Sequence, residues 1–357
     1  DPDLAVADRL RDELLEKSRP ALAAKGPGVL EGAAERVLCG NDPAGLNGAQ
    51  VVMVLGSGWA EELAADLESI ADHVAPDAVV LCQTERPDVP DLAPPALRGR
   101  VFGLALADRD FPARAAEVSV PDGATRAALA MAQSGLWKLN RLVVRGRAGR
   151  PMMMPALFDT MMSAADALVR RGIAPGRIEH AMRMHGFARS PYAILLQADA
   201  TAYLARTMNR RARLGLSHRV LTEGITPIVD GRTSVVLDYA AMDMFETAPL
   251  DLDEAGIVGA MTAALANTGC RLIAEGAAFR PMLIDAMMLH GFGYPRSYGG
   301  PMAEADMTGL RAVLDRCRRF AETDPEVWTP HPMLQDFFLN GLNFLDLDHR
   351  EQDARAA

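Results

Sequence analysis

Apolar positions in the first third of the chain alternate between short continuous runs and helical periodicities. Residues 51–55, 78–81 and 100–104 are nearly unbroken apolar runs, which is typical of parallel strands buried on both faces. Residues 60–73, between the first two runs, have helical spacing, and residues 4–25 form an amphipathic helical pattern before them. Strands that alternate with helices predict a parallel α/β sheet.

After about residue 153 the pattern becomes long helical windows, with a possible short strand pair around residues 234–237. This half contains a repeat: Gly172 and His185-Gly186-Phe187 recur as Gly276 and His290-Gly291-Phe292, at an offset of 104 to 107 residues over the whole stretch. Such an offset predicts a duplicated helical unit whose copies pack on each other. The expected domains are an α/β domain at 1–142, helical repeats at 143–245 and 246–345, and a flexible tail at 346–357.

Composition narrows the function classes. The formal net charge of −10 argues against a nucleic-acid surface, and the four cysteines lie too far apart to signal a zinc site or a disulfide framework. We therefore expect no metal and a reduced, cytoplasmic setting. No apolar run approaches the length that spans a bilayer, so no membrane span is expected.

Several motifs of the second repeat occur together in one family. The segment 267–276, Ile284-Asp285, the His290–Pro295 stretch and Gly299-Gly300-Pro301-Met302 resemble the C-terminal domain of multifunctional 3-hydroxyacyl-CoA dehydrogenases of fatty-acid β-oxidation. The similarity extends, more weakly, over residues 50 to 340. The resemblance implies a Rossmann-type domain that binds NAD, a duplicated helical domain, an acyl-CoA thioester between them, and an upstream enoyl-CoA hydratase domain.

In this family a histidine removes the hydroxyl proton while hydride passes to NAD, a glutamate supports the histidine, and asparagine and serine side chains hold the substrate oxygens. The resemblance assigns the histidine position to Ala105, the partner acid to Glu117, the asparagine to Met153 and the serine to Glu85. Three of these four positions therefore carry residues that cannot perform the family's chemistry.

The cofactor positions are altered as well. Leu55, Gly56, Gln83 and Thr84 are the candidate NAD contacts, but Gly56-Ser57-Gly58 is followed by Glu61 where a third glycine is required. The resemblance makes this the fourth strand of a 3-2-1-4-5-6 sheet, so the first βαβ unit is missing and residues 51–55 should form an edge strand. We expect either residues before position 1 in the natural protein or a helix at 4–25 that covers the edge.

The leading hypothesis is a dehydrogenase module of a multifunctional protein with impaired or lost hydride transfer. One alternative is a non-catalytic module that binds acyl-CoA or supports a partner domain; another is an active enzyme whose base is Asp108 or a water molecule. His185 and His290 are interpreted as helix C-terminal caps, the three tryptophans as packing residues, and residues 346–349 as part of a solvated tail. The arginines at 145–150 and 206–213 are interpreted either as solvated helix ends or as contacts to CoA phosphates.

Overall fold

The computed structural model describes residues 4–26, 29–55, 60–107, 114–192, 225–229, 233–237 and 250–349. Gly56, Asp108 and the arginines at 206–213 lie outside these ranges.

The central element is a five-stranded sheet whose strands follow in chain order, β1-β2-β3-β4-β5. β1, β2 and β3 are parallel, β4 is antiparallel to β3, and β5 is parallel to β4. A separate antiparallel pair, β6 and β7, lies at the predicted short strand pair. The strands are Val51–Val54 (β1), Val79–Gln83 (β2), Val101–Leu106 (β3), Ala115–Val120 (β4), Leu142–Arg147 (β5), Ile225–Val229 (β6) and Thr233–Leu237 (β7).

Helices precede the sheet, connect its strands and make up most of the remaining structure. Short 3-10 turns lie at Pro43–Leu46, Val89–Leu92, Pro95–Leu97 and Arg296–Tyr298. The α-helices are Leu4–Ala23 (α1), Val29–Ala34 (α2), Ala60–Ala71 (α3), Arg126–Lys138 (α4), Met153–Arg170 (α5), Pro175–His185 (α6), Glu254–Ala274 (α7), Pro281–Gly291 (α8), Pro301–Thr308 (α9), Leu310–Phe320 (α10), Pro325–Trp328 (α11) and Pro332–Leu339 (α12).

The α/β sheet expected from the apolar runs is confirmed, with one difference: β4 runs antiparallel. β1 lies at the edge, as predicted for a sheet without its first βαβ unit, and Met53 of this strand is exposed. The predicted helix at 4–25 is present as α1, but Leu10 and Leu14 on it are exposed, so α1 does not bury its apolar face over the β1 edge.

The helical half is built on two long helices, α5 and α7, that pack on each other. Thr160 of α5 and Thr268 of α7 share a buried hydrogen bond of 2.9 Å at this contact. Each long helix is followed by a glycine with positive φ, Gly172 and Gly276, and then by a shorter helix that begins with proline. This pairing agrees with the repeat spacing, while the domain limits themselves stay a prediction.

The expectation that no apolar segment is long enough to span a bilayer is wrong for α7. It is long and apolar enough to cross a membrane by length and composition, and 83% of its most apolar window is buried inside the protein. Burial of this kind is what the core helix of a folded domain shows, because an all-round apolar helix packs against neighbours on every side.

β5 begins at Leu142 and pairs with β4, so the sheet reaches Arg147. One other expectation changes near the end of the chain. Residues 344–349 are helical, with Phe344 buried and the Asp348 carboxylate accepting a hydrogen bond of 3.1 Å from the Met282 amide, so 346–349 is not a solvated tail.

The tryptophans differ from one another. Trp328 is fully buried and its Nε1 donates to the Ala260 carbonyl at 2.9 Å, which confirms a packing role. The side chain of Trp137 is 79% exposed at the end of α4, so the packing interpretation is wrong there. Trp59 lies outside the described residues.

Candidate functional site

Ala105 and Glu117, the positions that the resemblance assigns to the histidine and its partner acid, are direct cross-strand partners. β3 and β4 pair antiparallel in a register that sets Ala105 opposite Glu117. Side chains of directly opposed residues lie on the same face, with Cβ atoms about 5 Å apart. A histidine at 105 would therefore stand beside the Glu117 carboxylate, and the alanine found there supplies only a methyl group.

The Glu117 carboxylate is bound by the start of α5. Its Oε1 accepts a hydrogen bond from the Met153 amide at 2.7 Å, and its Oε2 accepts one from the Met154 amide at 2.7 Å. The first amides of a helix have no partner within the helix, and Met152, the N-cap residue, gives no side-chain hydrogen bond. Glu117 therefore caps α5 from a strand 36 residues earlier in the chain.

Gly146 gives the Glu117 side chain its space. A Cβ built at Gly146 would lie 2.9 Å from Oε1 of Glu117. Since real Cβ atoms do not approach an oxygen so closely, any larger residue at 146 would displace the carboxylate. Gly146 was not among the predicted site residues, although a glycine within a strand often marks a close approach.

Burial raises the pKa of Glu117 to about 7, and the Met154 and Met153 amides act in the opposite direction because they favour the charged form. A carboxyl group that titrates near neutrality has the acidity of a general base. With 1% of the residue exposed and both oxygens bound to amides, however, it is not available to a substrate hydroxyl.

The surroundings of Glu117 are apolar. Met153 is fully buried, and its side chain belongs to the core cluster that also contains Ala105, Val144 and Met152. A thioether is a weak hydrogen-bond acceptor and has no N–H donor, so Met153 cannot polarise a carbonyl as an asparagine amide would. The structure thus brings together three of the four positions assigned to catalysis, and the two other than Glu117 carry apolar side chains.

Glu85, the fourth assigned position, is exposed, whereas the other three are buried, so it lies outside this buried cluster. Among the cofactor candidates, Leu55 and Gln83 are exposed at the ends of β1 and β2. Thr84 is nearly buried, and its Oγ1 accepts a hydrogen bond of 3.1 Å from the Arg86 amide, which closes a turn after β2. Gly56 lies outside the described residues.

The helix that follows β1 does not suit the pyrophosphate of NAD. In a dinucleotide-binding fold the phosphates lie at the N-terminus of such a helix, where amide groups and the helix dipole attract negative charge. The first turn of α3 instead carries Glu61 and Glu62. These carboxylates repel an anion at that helix end. α3 therefore does not replace the phosphate-binding helix of the family's first strand, to which β1 does not correspond in the resemblance.

The histidine interpretations are corrected in part. Gly186 ends α6 in the left-handed conformation, φ 106°, as predicted, but the His185 Nε2 lies 3.2 Å from Oε2 of Glu304 and so does not cap its own helix. α8 ends at Gly291, which has no positive φ, and its C-cap residue is Phe292. None of the described histidines is hydrogen-bonded to Glu117.

Asp285 repeats the capping device of Glu117 in the second helical unit. Its carboxylate accepts from the Met302 amide at 2.8 Å and from the Ala303 amide at 3.2 Å, at the start of α9. Burial raises the pKa of Asp285 to about 7. The Gly-Gly-Pro-Met motif therefore marks a helix start that receives a buried carboxylate.

These two buried carboxyl groups predict how stability depends on pH. Their pKa values rise from 4.5 and 3.8 to about 7 on folding, so the folded state keeps protons that the unfolded state has already released. The free energy of unfolding should therefore fall as pH rises from about 4 to 7, by a few kcal/mol, and then level off. Urea unfolding across this pH range measures the change. Glu117→Gln and Asp285→Asn should each make the free energy of unfolding less dependent on pH. A free energy of unfolding that rises with pH over this range would contradict the raised pKa values of the two groups.

Within the described residues no cluster of three or more histidine, cysteine or acidic side chains could hold a metal ion.

Residues 257–343 match the family model of the 3-hydroxyacyl-CoA dehydrogenase C-terminal domain. A segment of 68 residues is 41% identical to the peroxisomal bifunctional enzyme of Cavia porcellus, covering 19% of this chain and 9% of that protein. A segment of 95 residues is 36% identical to the Danio rerio enzyme of the same name, covering 26% of this chain and 13% of the relative. The matched segments thus span a small part of these curated relatives.

The fold is shared more widely than the sequence. Escherichia coli K12 3-hydroxybutyryl-CoA dehydrogenase superposes with a TM-score of 0.68 at 15% identity, over 95% of this chain and 92% of that one. The dehydrogenase part of multifunctional enzyme 1 from C. elegans superposes with a TM-score of 0.59 at 16% identity, over 92% and 81% of the two chains.

Proposed function

We propose, from the match of residues 257–343 to the C-terminal domain of the 3-hydroxyacyl-CoA dehydrogenase family, that the chain is a dehydrogenase-type module of fatty-acid β-oxidation that binds an acyl-CoA thioester but has lost or severely impaired hydride transfer. Its natural setting is a multifunctional protein that also carries an enoyl-CoA hydratase domain, in a cytoplasmic compartment.

One observation supports the proposed loss of activity. Ala105 lies opposite Glu117, and both Glu117 oxygens accept hydrogen bonds from the first amides of α5. Oxidation of a 3-hydroxyacyl thioester requires a base that takes the hydroxyl proton as the hydride leaves carbon 3. A methyl group cannot accept that proton, and the nearby carboxyl group is committed to the helix. The acid of the family's His–Glu pair thus keeps a structural role after the base has been replaced.

Met153 also lacks the second group that this reaction requires, a hydrogen-bond donor to the reacting oxygen. The carbonyl that forms needs a hydrogen-bond donor where negative charge develops, and such donors account for a large share of catalysis in related chemistry. The buried Met153 side chain has no donor, so even a base supplied from elsewhere would act on an unpolarised oxygen.

NAD is proposed only by resemblance, because the acidic first turn of α3 disfavours the pyrophosphate. When bound in this family NAD accepts the hydride. In this chain Leu55, Gln83 and Thr84 remain the candidate contacts of the nicotinamide side, and the substitutions at Ala105 and Met153 would impair turnover even with NAD present.

The second candidate is a non-catalytic module that supports a partner domain. The two buried carboxylate caps favour it, since Glu117 and Asp285 both hold helix starts in place. The two candidates differ in one property: the first binds an acyl-CoA thioester and the second does not.

To test the proposal, the purified chain is incubated with NADH and acetoacetyl-CoA, and NADH oxidation is measured from the absorbance of NADH. The E. coli 3-hydroxybutyryl-CoA dehydrogenase is the positive control. Calorimetry with acetoacetyl-CoA alone measures thioester binding. We expect saturable thioester binding and no NADH oxidation above the blank. Sustained NADH oxidation would overturn the proposal; if Asp108→Asn then abolished it, Asp108 would be the base.

A further inference from the structure

Three carboxylates of the second helical repeat each cap a neighbouring helix. Asp285 of α8 accepts two amides at the start of α9. Asp306 of α9 accepts hydrogen bonds of 3.0 Å from the first two amides of residues 344–349, here called the C-terminal helix. Asp348 of the C-terminal helix accepts the Met282 amide, in the first turn of α8, at 3.1 Å. Each helix thus caps the next one, and the three caps close a ring.

The three carboxylates of this ring also line one cavity of about 330 Å³. The C-terminal helix forms one wall of the cavity through Phe344, Leu345 and Asp348, and Asp285 lines it from α8. Only 8% of Asp285 is exposed. The C-terminal helix therefore helps to keep water away from the Asp285 carboxylate.

The carboxylates of the ring disfavour one another's charged forms. The pKa of Asp285 rises to about 7 because burial disfavours its charge, the α9 amides oppose this, and the Asp348 and Asp306 charges add to it. Burial also raises the pKa of Asp306 and the pKa of Asp348. Like charges that face one cavity do not all ionise at the same pH, so the ring as a unit retains a proton close to neutrality.

The groups of α8, of α9 and of the loop between them add no positive charge at neutral pH. His290 lines the cavity, but its pKa is lowered, first by burial and then by Arg296 and Arg114, so its imidazole is neutral at pH 7. The Tyr294 hydroxyl donates to Glu304 of α9 at 2.6 Å. Burial and then Glu304 raise the pKa of Tyr294 well above its usual range, so this hydroxyl is uncharged.

Charges of both signs lie on the side of the C-terminal helix. Arg280 and His349 lower the pKa of Asp348, yet burial keeps that pKa above its usual value. Asp346 acts in the other direction and raises the pKa of Asp306. The repulsion within the ring therefore persists with these neighbours present.

The C-terminal helix is the member of the ring that can yield at the least cost. Phe344 is the only one of its six residues that is buried, and 58% of Leu345 is exposed. α8 and α9, in contrast, both pack on the core helix α7. Local opening begins where few apolar contacts hold an element in place.

We propose that the ring is a proton-controlled latch, which holds the C-terminal helix against α8 and α9 while the three carboxylates share a proton and loosens once all three are ionised. Opening exposes Asp285 to water and separates it from Asp348, and both changes favour its charged form. The closed latch therefore binds a proton more tightly than the open latch. Its stability is greatest below the ordinary pKa of Asp285, 3.8, falls as pH rises towards about 7, and then levels off.

Hydrogen exchange of the full chain, followed by mass spectrometry from pH 5.5 to 8, measures the opening. After correction for intrinsic exchange rates, the protection of residues 344–346 should fall about tenfold or more over this range, since opening releases one proton. Low concentrations of urea should change this local opening little, whereas exchange in α7 should accelerate with urea. Protection at residues 344–346 that is independent of pH, or that equals the protection of α7 at every urea concentration, would overturn the proposal.

Three variants identify the titrating group. Asp285→Asn should abolish the pH dependence of this protection. Asp348→Asn keeps an oxygen acceptor for the Met282 amide but removes a charge that raises the pKa of Asp285, so the midpoint of the fall should move to lower pH. Asp336→Asn makes the same change on an exposed residue of α12 outside the cavity and should leave the midpoint where it is.

The two ring variants can each rule the latch out. An Asp285→Asn variant that folds and keeps the full pH dependence would exclude Asp285 as the controlling group. If Asp285→Asn does not fold, Asp348→Asn decides alone, and a midpoint equal to that of the wild type would contradict the latch.

Discussion

Replacing Glu117 with alanine should lower the free energy of unfolding by about 3 kcal/mol or more at a mildly acidic pH. The substitution leaves the Met153 and Met154 amides buried without acceptors, and each such amide costs about 1 to 3 kcal/mol. It also opens a void in a core where the side chain is almost completely enclosed. Chemical unfolding followed by circular dichroism measures the change.

The matched control is Glu322→Ala, which makes the same chemical change on an exposed residue and should shift stability by less than about 0.5 kcal/mol. Glu117→Gln should cost less than Glu117→Ala, because its carbonyl oxygen still serves one amide while its NH₂ group faces the other. An alanine variant as stable as the wild type would show that α5 does not depend on this cap, and the structural role proposed for Glu117 would be lost.

Gly300→Ala is the second substitution with a large expected effect, about 3 kcal/mol or more of lost stability. A Cβ at position 300 would overlap the Asp285 carboxylate and approach its Cβ and Cγ to 2.5 Å. Gly300 also has a φ of 119°, which side chains rarely adopt. To make room Asp285 would have to move, and the Met302 and Ala303 amides would lose their acceptor.

Gly309→Ala separates the two causes. Gly309 has a φ of 88°, but a Cβ there meets no atom within 4 Å. Gly309→Ala should therefore lower the free energy of unfolding only through the unfavourable φ, by about 1 kcal/mol. A shift in melting temperature several times larger for Gly300→Ala than for Gly309→Ala is expected in a calorimetric scan. Equal shifts would mean that the contact with Asp285 does not constrain position 300.

Several strands and helices could be predicted because each depends on residues close together in the chain. Continuous apolar runs gave β1, β2 and β3, and the repeat of Gly172 as Gly276 located two helix ends of the same kind. The edge position of β1 was also predictable, because the resemblance makes β1 the fourth strand of the family's sheet and the sequence before it has no pattern for the first βαβ unit. The antiparallel direction of β4 was not, because an apolar run has the same pattern in either direction.

The sequence by itself determined that residues 105 and 153 are alanine and methionine, which carry neither an imidazole nor an amide group. That they occupy the positions of the family's histidine and asparagine stays a prediction. Only the tertiary structure decided that Glu117 caps α5, that Gly146 makes room for it, and that Asp285, Asp306 and Asp348 meet around one cavity. These pairings join residues tens of positions apart. Their geometry follows from strand register and helix packing, and neither leaves a periodic signal in a single sequence.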